Sequence, residues 1–302
     1  AAEYHAALDC EFDSNTGTWT FTETQSSDPD TGWDKLPKAM AAGDVDGDGK
    51  DEVFIAYYNN SNSSLYFRVI GNTGGIYATT VNGTIANNVS VSEYPDHYWW
   101  LNNFNVAAGD ADGNGQKEML VAFNDTVYLI GDKSTGYRVL KSIRYDKGTY
   151  RYKLIKIAAG DLDNNGTDDF VVMDSSIATN HLADFGYAQY RIYTGTDLTL
   201  MSSDSETNDS AGSIVVVEPD VGRIELYTAS CAIGDVDADG LNEVLFVGKH
   251  IDTSCNQAYL AAILDPKDGK TGEMIFTFKP DYEYIACDND AWLTPVCAID
   301  DF

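Results

Sequence analysis

The sequence predicts an all-β fold built from repeated units of short antiparallel strands. An acidic loop containing glycine occurs four times, and its first residues are Asp44, Asp110, Asp161 and Asp235. A β-type apolar run follows each copy, and a short apolar segment such as Met40-Ala41-Ala42 precedes it. Between the copies, strand-like runs are separated by turns that contain Thr-Gly or Gly-Gly. Each acidic loop is therefore predicted to connect two strands.

The loop carries the residue types that a calcium site needs. Numbered from its first aspartate, each copy has oxygen-bearing side chains at positions 1, 3, 5 and 9 and glycine at position 6. Calcium takes roughly six to eight oxygen ligands, and the glycine is expected to turn the chain sharply with a positive φ. The backbone carbonyl of position 7 and the acid at position 9 would complete the ligands. For about four Ca²⁺ ions the predicted ligands are Asp44, Asp46, Asp48, Lys50, Glu52, Asp110, Asp112, Asn114, Gln116, Glu118, Asp161, Asp163, Asn165, Thr167, Asp169, Asp235, Asp237, Asp239, Leu241 and Glu243.

The EF-hand is the main alternative for such a loop. An EF-hand loop begins in the same way, but it needs a glutamate at position 12 and a helix on each side. Position 12 is apolar in all four copies, as Ile55, Val121, Val172 and Phe246. The EF-hand interpretation therefore fails, and position 12 is predicted to lie in the core. Four copies also make a merely solvated acidic hairpin a poor explanation.

The segments between the loops predict two further strands per unit. Val127–Val139 is one example and Tyr259–Phe276 is another, each with two apolar runs around a turn. A unit then has four strands running up and down, and radial repetition of such units makes a β-propeller. The whole chain, 1–302, is predicted to form one such domain.

The two ends of the chain resemble parts of a unit. Tyr4–Phe21 is similar to the second half of a unit, and Cys297–Phe302 is similar to the first strand in Cys231–Val236. One possibility is a ring of about five blades, with four complete blades and one assembled from the chain termini. The chain could also be part of a larger propeller, or one subunit's end could complete the next subunit's start, because open sheet edges favour pairing.

The loops of the form Gly-Asp-x-Asp-x-[Asp/Asn]-Gly-x-x-[Glu/Asp] between short strands resemble FG-GAP/VCBS repeats. These repeats occur in integrin α-subunit propellers, certain fungal lectins and many secreted bacterial proteins. The resemblance covers about residues 4–302 and implies calcium ions that hold the first two strands of each blade together. The chain departs from the usual family member by having fewer complete loops.

Composition and charge restrict the possible partners. The chain has 19 basic and 48 acidic residues, for a net charge of −29. Such a surface repels nucleic acid phosphates and anionic membranes, so neither is an expected partner. No segment approaches the ~20 apolar residues that cross a bilayer, so no membrane insertion is expected. The chain begins with Ala1-Ala2 rather than Met. This start fits a mature protein without its signal peptide, and we expect it to be secreted or on a cell surface.

Cysteines and sequons are consistent with an extracellular protein. Of the five cysteines, Cys287 with Cys297 is the first candidate disulfide and Cys231 with Cys255 the second. Cys10 is then left as a buried thiol or as a link to another subunit. Asn165 also lies in a sequon, but as position 5 of the third loop it is expected to be unmodified. The expected glycosylation sites are Asn59, Asn62, Asn82, Asn88, Asn124 and Asn208.

Aromatic residues indicate a possible ligand surface. In a propeller, the crossings between blades lie on the face opposite the acidic loops. Aromatic rings beside polar side chains can stack on and hydrogen-bond to sugars, although the same rings could fill gaps between blades. The candidate ligand-binding residues are Trp33, His97, Tyr98, Trp99, Trp100 and Trp292.

The functional prediction is a secreted, calcium-stabilised adhesion or carbohydrate-binding module. Its partner would be a glycan or an extracellular protein. The first alternative is a structural subunit of an extracellular filament or assembly, joined through chain ends or Cys10. The second is a polysaccharide lyase, for which His97 with Tyr98 is the candidate catalytic pair. An enzyme is less favoured because the four histidines are scattered and most clustered acids belong to the calcium loops.

Overall fold

The computed structural model describes residues 6–13, 18–26, 38–59, 61–73, 76–89, 104–144, 152–177, 188–200, 212–213, 215–218, 222–225, 228–236, 239–251, 257–264 and 274–278. Regular structure in these ranges consists of β-strands, and every strand pairing is antiparallel. None of the described residues forms a helix that is long and apolar enough to cross a membrane. The all-β prediction is confirmed.

The first two strands form a hairpin. They are β1 (Ala6–Asp13) and β2 (Thr18–Ser26), and Cys10 lies opposite Phe21 in their register. Alternating β-branched and aromatic residues in β2 favour an extended strand. The hairpin lies where the similarity of Tyr4–Phe21 to the second half of a unit predicts two strands.

Four larger sheets follow, each beginning with two strands joined by an acidic loop. Sheet 1 contains β3 (Lys38–Gly43), β4 (Glu52–Asn59), β5 (Ser64–Thr73) and β6 (Ile76–Ala86). Sheet 2 contains β7 (Phe104–Gly109), β8 (Glu118–Phe123), β9 (Thr126–Ile130) and β10 (Val139–Arg144). In both sheets each strand pairs with the next one along the chain. The predicted up-and-down order is therefore correct for these two units.

Sheet 3 departs from the four-stranded pattern. It contains β11 (Tyr152–Gly160), β12 (Asp169–Ile177), β13 (Ala188–Thr194), β14 (Thr199–Leu200) and β15 (Gly212–Ser213). Two short strands share the outer edge of β13, because β14 pairs with its end at Tyr193 and β15 pairs nearer its start at Gln189. A longer connection therefore divides the fourth-strand position between two segments.

The last part of the chain forms a second hairpin and a fourth sheet. The hairpin contains β16 (Val215–Glu218) and β17 (Gly222–Glu225). Sheet 4 contains β18 (Thr228–Gly234), β19 (Glu243–Ile251), β20 (Gln257–Leu264) and β21 (Met274–Phe278), again in sequential order. Three of the four units thus have the predicted four strands.

The core lies between consecutive sheets, and the second strand of each unit contributes to it. All six residues of β8 are buried. Met119 and Val121 pack in a cluster with sheet 1, whereas Leu120 and Ala122 pack in a cluster with sheet 3. Successive side chains of a strand point to opposite faces, so this alternation places sheet 2 between its neighbours. Position 12 is buried in all four units, as predicted for Ile55, Val121, Val172 and Phe246.

Glycine before the first aspartate allows neighbouring sheets to approach closely. A Cβ atom on Gly109 would lie 2.8 Å from the Cβ of Ala159, and one on Gly160 would lie 2.5 Å from Cγ2 of Ile233. Gly43 faces Ala108 in the same way at 3.1 Å. Each glycine therefore packs against the residue two before the next loop, which puts the first strands of sheets 1 to 4 side by side in chain order. A side chain here would overpack the contact.

The two ends of this row lack the packing found inside it. Met40 in sheet 1 is 55% exposed, whereas the residues equivalent to it in sheets 2 to 4, Val106, Ile157 and Cys231, are 7–8% exposed and pack against the preceding sheet. At the other end, Val236 in the fourth loop is 42% exposed. The residues equivalent to Val236 are buried against the following sheet, and they are Val45, Ala111 and Leu162. Among the described residues, Met40 and Val236 are the exposed large hydrophobic side chains.

Candidate metal centres

The four acidic loops lie where the sequence predicts them, between the first and second strands of each sheet. Loop 1 joins β3 to β4, loop 2 joins β7 to β8, loop 3 joins β11 to β12 and loop 4 joins β18 to β19. In each sheet the last residue of the first strand pairs with position 9 of the loop, as Gly109 pairs with Glu118. Each loop is thus closed at its base by the sheet ladder.

The carboxylate at position 1 organises each loop from inside. One of its oxygens accepts a hydrogen bond from the backbone N–H of position 5, and the other accepts one from the N–H of position 6. In loop 2 these distances are 3.0 Å to Asn114 and 2.8 Å to Gly115. The residues that act in this way are Asp44, Asp110, Asp161 and Asp235. An aspartate at position 1 therefore has a structural role in addition to its predicted ligand role.

Two loop positions require a left-handed backbone. Gly49, Gly115, Gly166 and Gly240 at position 6 have φ between 83° and 89°, as predicted from the calcium loop pattern. Position 4 is also left-handed in the first three loops, where φ is 76° at Gly47, 73° at Gly113 and 56° at Asn164. Glycine and asparagine are the residues that tolerate this region best. Glycine or asparagine at position 4 of these three loops is therefore a second sequence signal of the loop, beside glycine at position 6.

The side chain at position 5 holds the backbone at position 7, where the chain leaves the loop toward the second strand. Its Oδ1 atom accepts a hydrogen bond from the backbone N–H of position 7, at 2.7–2.9 Å in all four loops. Donation by that N–H orients the peptide plane between positions 6 and 7, directly before the carbonyl of position 7 that is a predicted ligand. Position 7 is lysine, glutamine, threonine and leucine in the four loops. Such variety is expected if only the backbone of that residue is used.

The acid at position 9 is the most buried part of the site. Glu52, Glu118, Asp169 and Glu243 are all buried, and one carboxylate oxygen of each accepts a hydrogen bond from the backbone N–H of position 2. The other oxygen has no partner within hydrogen-bond geometry in loops 2 and 3, where it is Oε1 of Glu118 and Oδ1 of Asp169, although the backbone N–H of Gly195 is close enough to Asp169 to offset a small part of the rise in its pKa that burial causes. A buried carboxylate oxygen without a partner costs about 1–3 kcal/mol or more.

The burial of these acids changes their proton affinity. Burial, with repulsion from Asp112 next in size, raises the pKa of Glu118 to about 7. Burial likewise raises the pKa of Asp169 to about 7, and neighbouring Asp163 and Asp161 add to the effect. The pKa of Glu52 is also raised, first by burial and then by Asp46. Loops 1, 2 and 3 therefore concentrate negative charge that is unfavourable without a cation.

The residues fit a hard cation in at least three loops. Carboxylate oxygens lie within 4.8 Å of one another in three groups, which are Asp44 with Asp46 and Asp48, Asp110 with Asp112 and Glu118, and Asp161 with Asp163 and Asp169. Glu118 and Asp169, the two acids with an unpartnered oxygen, belong to two of these groups. An all-oxygen set of this kind suits Ca²⁺. In loop 4, Asp235, Asp239 and Glu243 repeat the hydrogen bonds of the other loops, and Asp237 lies outside the described residues.

A buried aspartate outside the loops supports the second site. Asp132 lies in the turn between β9 and β10, and its Oδ2 atom accepts a hydrogen bond from Nδ2 of Asn114 at 2.8 Å. Its Oδ1 atom accepts bonds from the Ser134 hydroxyl and the Thr135 N–H. Burial alone would raise the pKa of Asp132, but these hydrogen bonds together hold it below its ordinary value. Asp132 thereby orients the amide of Asn114, a role that sequence spacing did not reveal, although Asp-x-Ser-Thr is a typical Asx-turn sequence.

Several predicted residues lie outside the described part of the chain. They include all candidate ligand-binding and lyase residues, Trp33, His97, Tyr98, Trp99, Trp100 and Trp292, and also the sequon residue Asn208. Both proposed disulfides include residues outside the described ranges, namely Cys255, Cys287 and Cys297. Cys231 is buried in the core between sheets 3 and 4. The disulfide pairs, and the link through Cys10 in β1, therefore remain predictions.

The described sequons lie mainly at strand ends and turns. Asn59 ends β4, Asn62 lies in the turn before β5, and Asn124 lies with a φ of 60° between β8 and β9. These positions lie at turns between the second and third strands of their sheets. Asn82, in β6, and Asn88 are exposed. Asn165 is exposed as well, and its Oδ1 accepts hydrogen bonds from the backbone and side chain of Thr167. Glycosylation at the six expected sites, and an unmodified Asn165, stay predictions.

Comparison with known proteins gives structural likeness only. No protein-family model matches the chain, and no curated protein matches it. Solved structures with some likeness include a Bacillus licheniformis rhamnogalacturonan lyase PL11 (TM-score 0.39, 13% identity), rhamnogalacturonan lyase YesW (0.36, 12%) and the exotype rhamnogalacturonan lyase YesX (0.33, 11%). Each match covers 81% of this chain and 50–52% of the lyase, so the chain spans about half the length of these structures. Likeness at this level carries no argument about the function of this chain.

Proposed function

We propose that this protein binds about four Ca²⁺ ions, one in each acidic loop, and uses them to hold together a β-propeller-like scaffold. The observation that carries this proposal is the unpartnered, buried oxygen of Glu118 and of Asp169. Each belongs to a group of converging carboxylates on a loop whose backbone geometry recurs in four sheets. Bound calcium would supply the positive charge and the missing ligand interactions at these oxygens.

The arrangement of the sheets supports a propeller. First strands lie side by side in chain order, and sheets 2 and 3 each pack between two neighbouring sheets through alternating side chains. In a propeller of about five blades, the fifth would include β1, β2 and residues 297–302, and it would cover Met40 and Val236. A larger propeller remains the alternative. The calcium loops would then hold strands together on one face of the propeller, and the opposite face would be available for ligand binding.

The scaffold would act as a secreted adhesion or carbohydrate-binding module. Calcium sites of moderate affinity are better filled outside cells, where calcium is plentiful, and the sequons also suit an extracellular protein. A ligand surface formed by Trp33, the His97–Trp100 segment and Trp292 would recognise a glycan or an extracellular protein. A glycan array probed with the calcium-loaded protein would test this part, and lack of binding across diverse sugars would count against carbohydrate recognition.

Calcium stoichiometry tests the metal proposal directly. Equilibrium dialysis followed by elemental analysis should find about four Ca²⁺ per chain in the wild type and fewer in Glu118→Ala, which removes a buried ligand of loop 2. Asp51→Ala is the matched control, because Asp51 is an exposed acid next to Glu52 and is not a predicted ligand. Equal losses in both variants, or absence of bound calcium in the wild type, would show that the loops are not calcium sites.

A second candidate function, a structural subunit of an extracellular assembly, is favoured by the exposed ends of the row. Met40 and Val236 occupy positions that pack against a neighbouring sheet in every other unit. The sheet 4 face of one subunit could therefore pack on the sheet 1 face of another, which is a heterologous contact that builds filaments.

Light scattering over a range of protein concentrations tests assembly. We expect the mass to rise with concentration and Met40→Lys to suppress the rise, because a charge would be buried in the contact. Thr79→Lys, on the exposed part of β6, is the control and should assemble normally. A strict monomer at all concentrations, with and without reductant, would exclude assembly through the chain ends or Cys10.

A further inference from the structure

Position 8 of loops 2, 3 and 4 makes a contact that the calcium pattern does not require. The backbone N–H of Lys117, at position 8 of loop 2, donates a hydrogen bond to the backbone carbonyl of Asp44 in loop 1 at 2.8 Å. The N–H of Asp168, at position 8 of loop 3, donates in the same way to the carbonyl of Asp110 at 2.7 Å. In loop 4 the side chain of Asn242 takes over, and its Nδ2 donates to the carbonyl of Asp161 at 2.8 Å. Loops 2, 3 and 4 are thus each hydrogen-bonded to position 1 of the preceding loop.

The contact between loops 2 and 3 is reciprocal and includes charged groups. While the N–H of Asp168 donates to the Asp110 carbonyl, Oδ2 of Asp168 accepts a bond from the Asp110 N–H at 2.6 Å. The same oxygen accepts a bond from Nζ of Lys117 at 3.0 Å. Asp168 therefore holds the first and eighth residues of loop 2 together. Partial burial of this carboxylate reduces solvent screening of its bond to Lys117.

A comparable set of bonds joins loop 1 to sheet 2. Lys133, in the turn between β9 and β10, donates its backbone N–H to the carbonyl of Val45 at 3.0 Å. Its Nζ atom donates to Oδ2 of Asp46, a predicted ligand, also at 3.0 Å. The turn that contains Lys133 also contains Asp132, which orients Asn114 of loop 2. The same turn between β9 and β10 therefore supports loop 1 through Lys133 and loop 2 through Asp132.

Through position 8, the ordering of one calcium loop can restrict the conformation of the neighbouring loop. It lies between the carbonyl of position 7 and the carboxylate of position 9, both predicted ligands of its own loop. Its bonding partner is position 1 of the preceding loop, which is the residue that organises that loop. When one loop is ordered, the conformational freedom of its neighbour falls, so a second ion binds at a lower entropic cost.

We infer that the calcium sites of adjacent sheets bind cooperatively, and that Asp168 is a positioning residue that couples the second and third sites. This inference rests on the proposal that the loops bind calcium. Occupation of loop 3 orders Asp168, whose backbone N–H and side-chain Oδ2 hold the carbonyl and the N–H of Asp110, and whose Oδ2 also accepts the bond from Lys117. Reciprocity requires that occupation of loop 2 favours loop 3 by the same factor.

Calorimetric titration of the full chain with Ca²⁺ tests the coupling. We expect a Hill coefficient above one for the wild type. Asp168→Ala should retain the number of bound ions while its Hill coefficient falls toward one and its mean affinity weakens by about fivefold, the lower end of typical coupling. Asp51→Ala is the control, because position 8 of loop 1 has no preceding loop among the described residues, and its curve should match the wild type.

A second variant, Lys117→Met, tests the coupling even if Asp168→Ala does not fold. Lys117→Met removes only the ammonium contact with Asp168 and keeps the backbone bonds, so it should lower the Hill coefficient by a smaller amount. If four ions bind with a Hill coefficient of one in the wild type, or if both variants keep its cooperativity, the coupling is wrong while the calcium sites stand. If the wild type binds no calcium, both the coupling and the proposed function fail.

Discussion

Removal of calcium should lower the melting temperature of this protein by roughly 20 °C. A ligand that binds only the folded state, at a concentration about 100 times its Kd, adds about 2.7 kcal/mol per site. Four sites would together add about 11 kcal/mol, and one kcal/mol corresponds to about 1.6 °C in a chain of 302 residues, since the entropy of unfolding is about 2.1 cal/mol/K per residue. Differential scanning calorimetry in calcium and in excess EDTA measures the change.

The chelation experiment needs a control for nonspecific charge screening. The net charge of −29 means that any divalent cation lowers repulsion within the protein. Measurement in about 0.15 M salt reduces that contribution, because the Debye length is then ~8 Å. Addition of Mg²⁺ to the EDTA-treated, dialysed protein should restore little stability, because Mg²⁺ demands a small octahedral site. A melting temperature that is unaffected by EDTA would rule out structural calcium.

Without calcium, the protein should be more stable at pH 5 than at pH 8. The pKa values of Glu118 and Asp169 are raised to about 7 in the folded state from their ordinary values of 4.5 and 3.8. The folded state therefore binds more protons, and the free energy of unfolding falls as pH rises toward and through 7. Each group contributes about 2–3 kcal/mol between these two pH values. Urea unfolding in EDTA at both values measures the difference.

Calcium should reverse this pH dependence. Protons compete with the cation for the same carboxylates, so calcium affinity, and with it stability in calcium, rises with pH. The control is Glu118→Gln, which keeps the shape of the side chain and cannot ionise. In EDTA at pH 8 this variant should be more stable than the wild type, whereas in calcium it should be less stable. Wild-type stability in EDTA that rises from pH 5 to pH 8 would contradict the burial of uncompensated charge at Glu118 and Asp169.

Local patterns in the sequence carried most of the loop geometry. Ligand types at positions 1, 3, 5 and 9, the positive φ at position 6 and the apolar residue at position 12 all lie within twelve consecutive residues. Such a segment folds on itself through short-range bonds, as when Asp110 accepts from Asn114 and Gly115. The strand pairs around each loop were predictable for the same reason, because β-type runs flank the loop at once.

Contacts between sheets were much less predictable. Position 8 is aspartate, lysine, aspartate and asparagine in the four loops, so no residue type marks it. Its bond to the preceding loop uses the backbone N–H in two cases and a side chain in a third. The divided edge of sheet 3 lies within the longest interval between successive loops, which runs from Asp161 to Asp235. Asp132 is similar, because its partner Asn114 lies in another strand connection.

The sequence by itself determined the strand-loop-strand unit, its fourfold repetition and the oxygen ligands of each loop, because these depend on residues close together in the chain. Only the tertiary structure decided the burial of Glu118 and Asp169, which arises when sheet and loop close over them. Tertiary packing also decided which faces are covered. Met40 and Val106 occupy equivalent positions in similar strands, yet one is exposed and the other buried. The difference is whether a neighbouring sheet covers the side chain. That depends on how the sheets are arranged in the fold and not on the sequence of either strand.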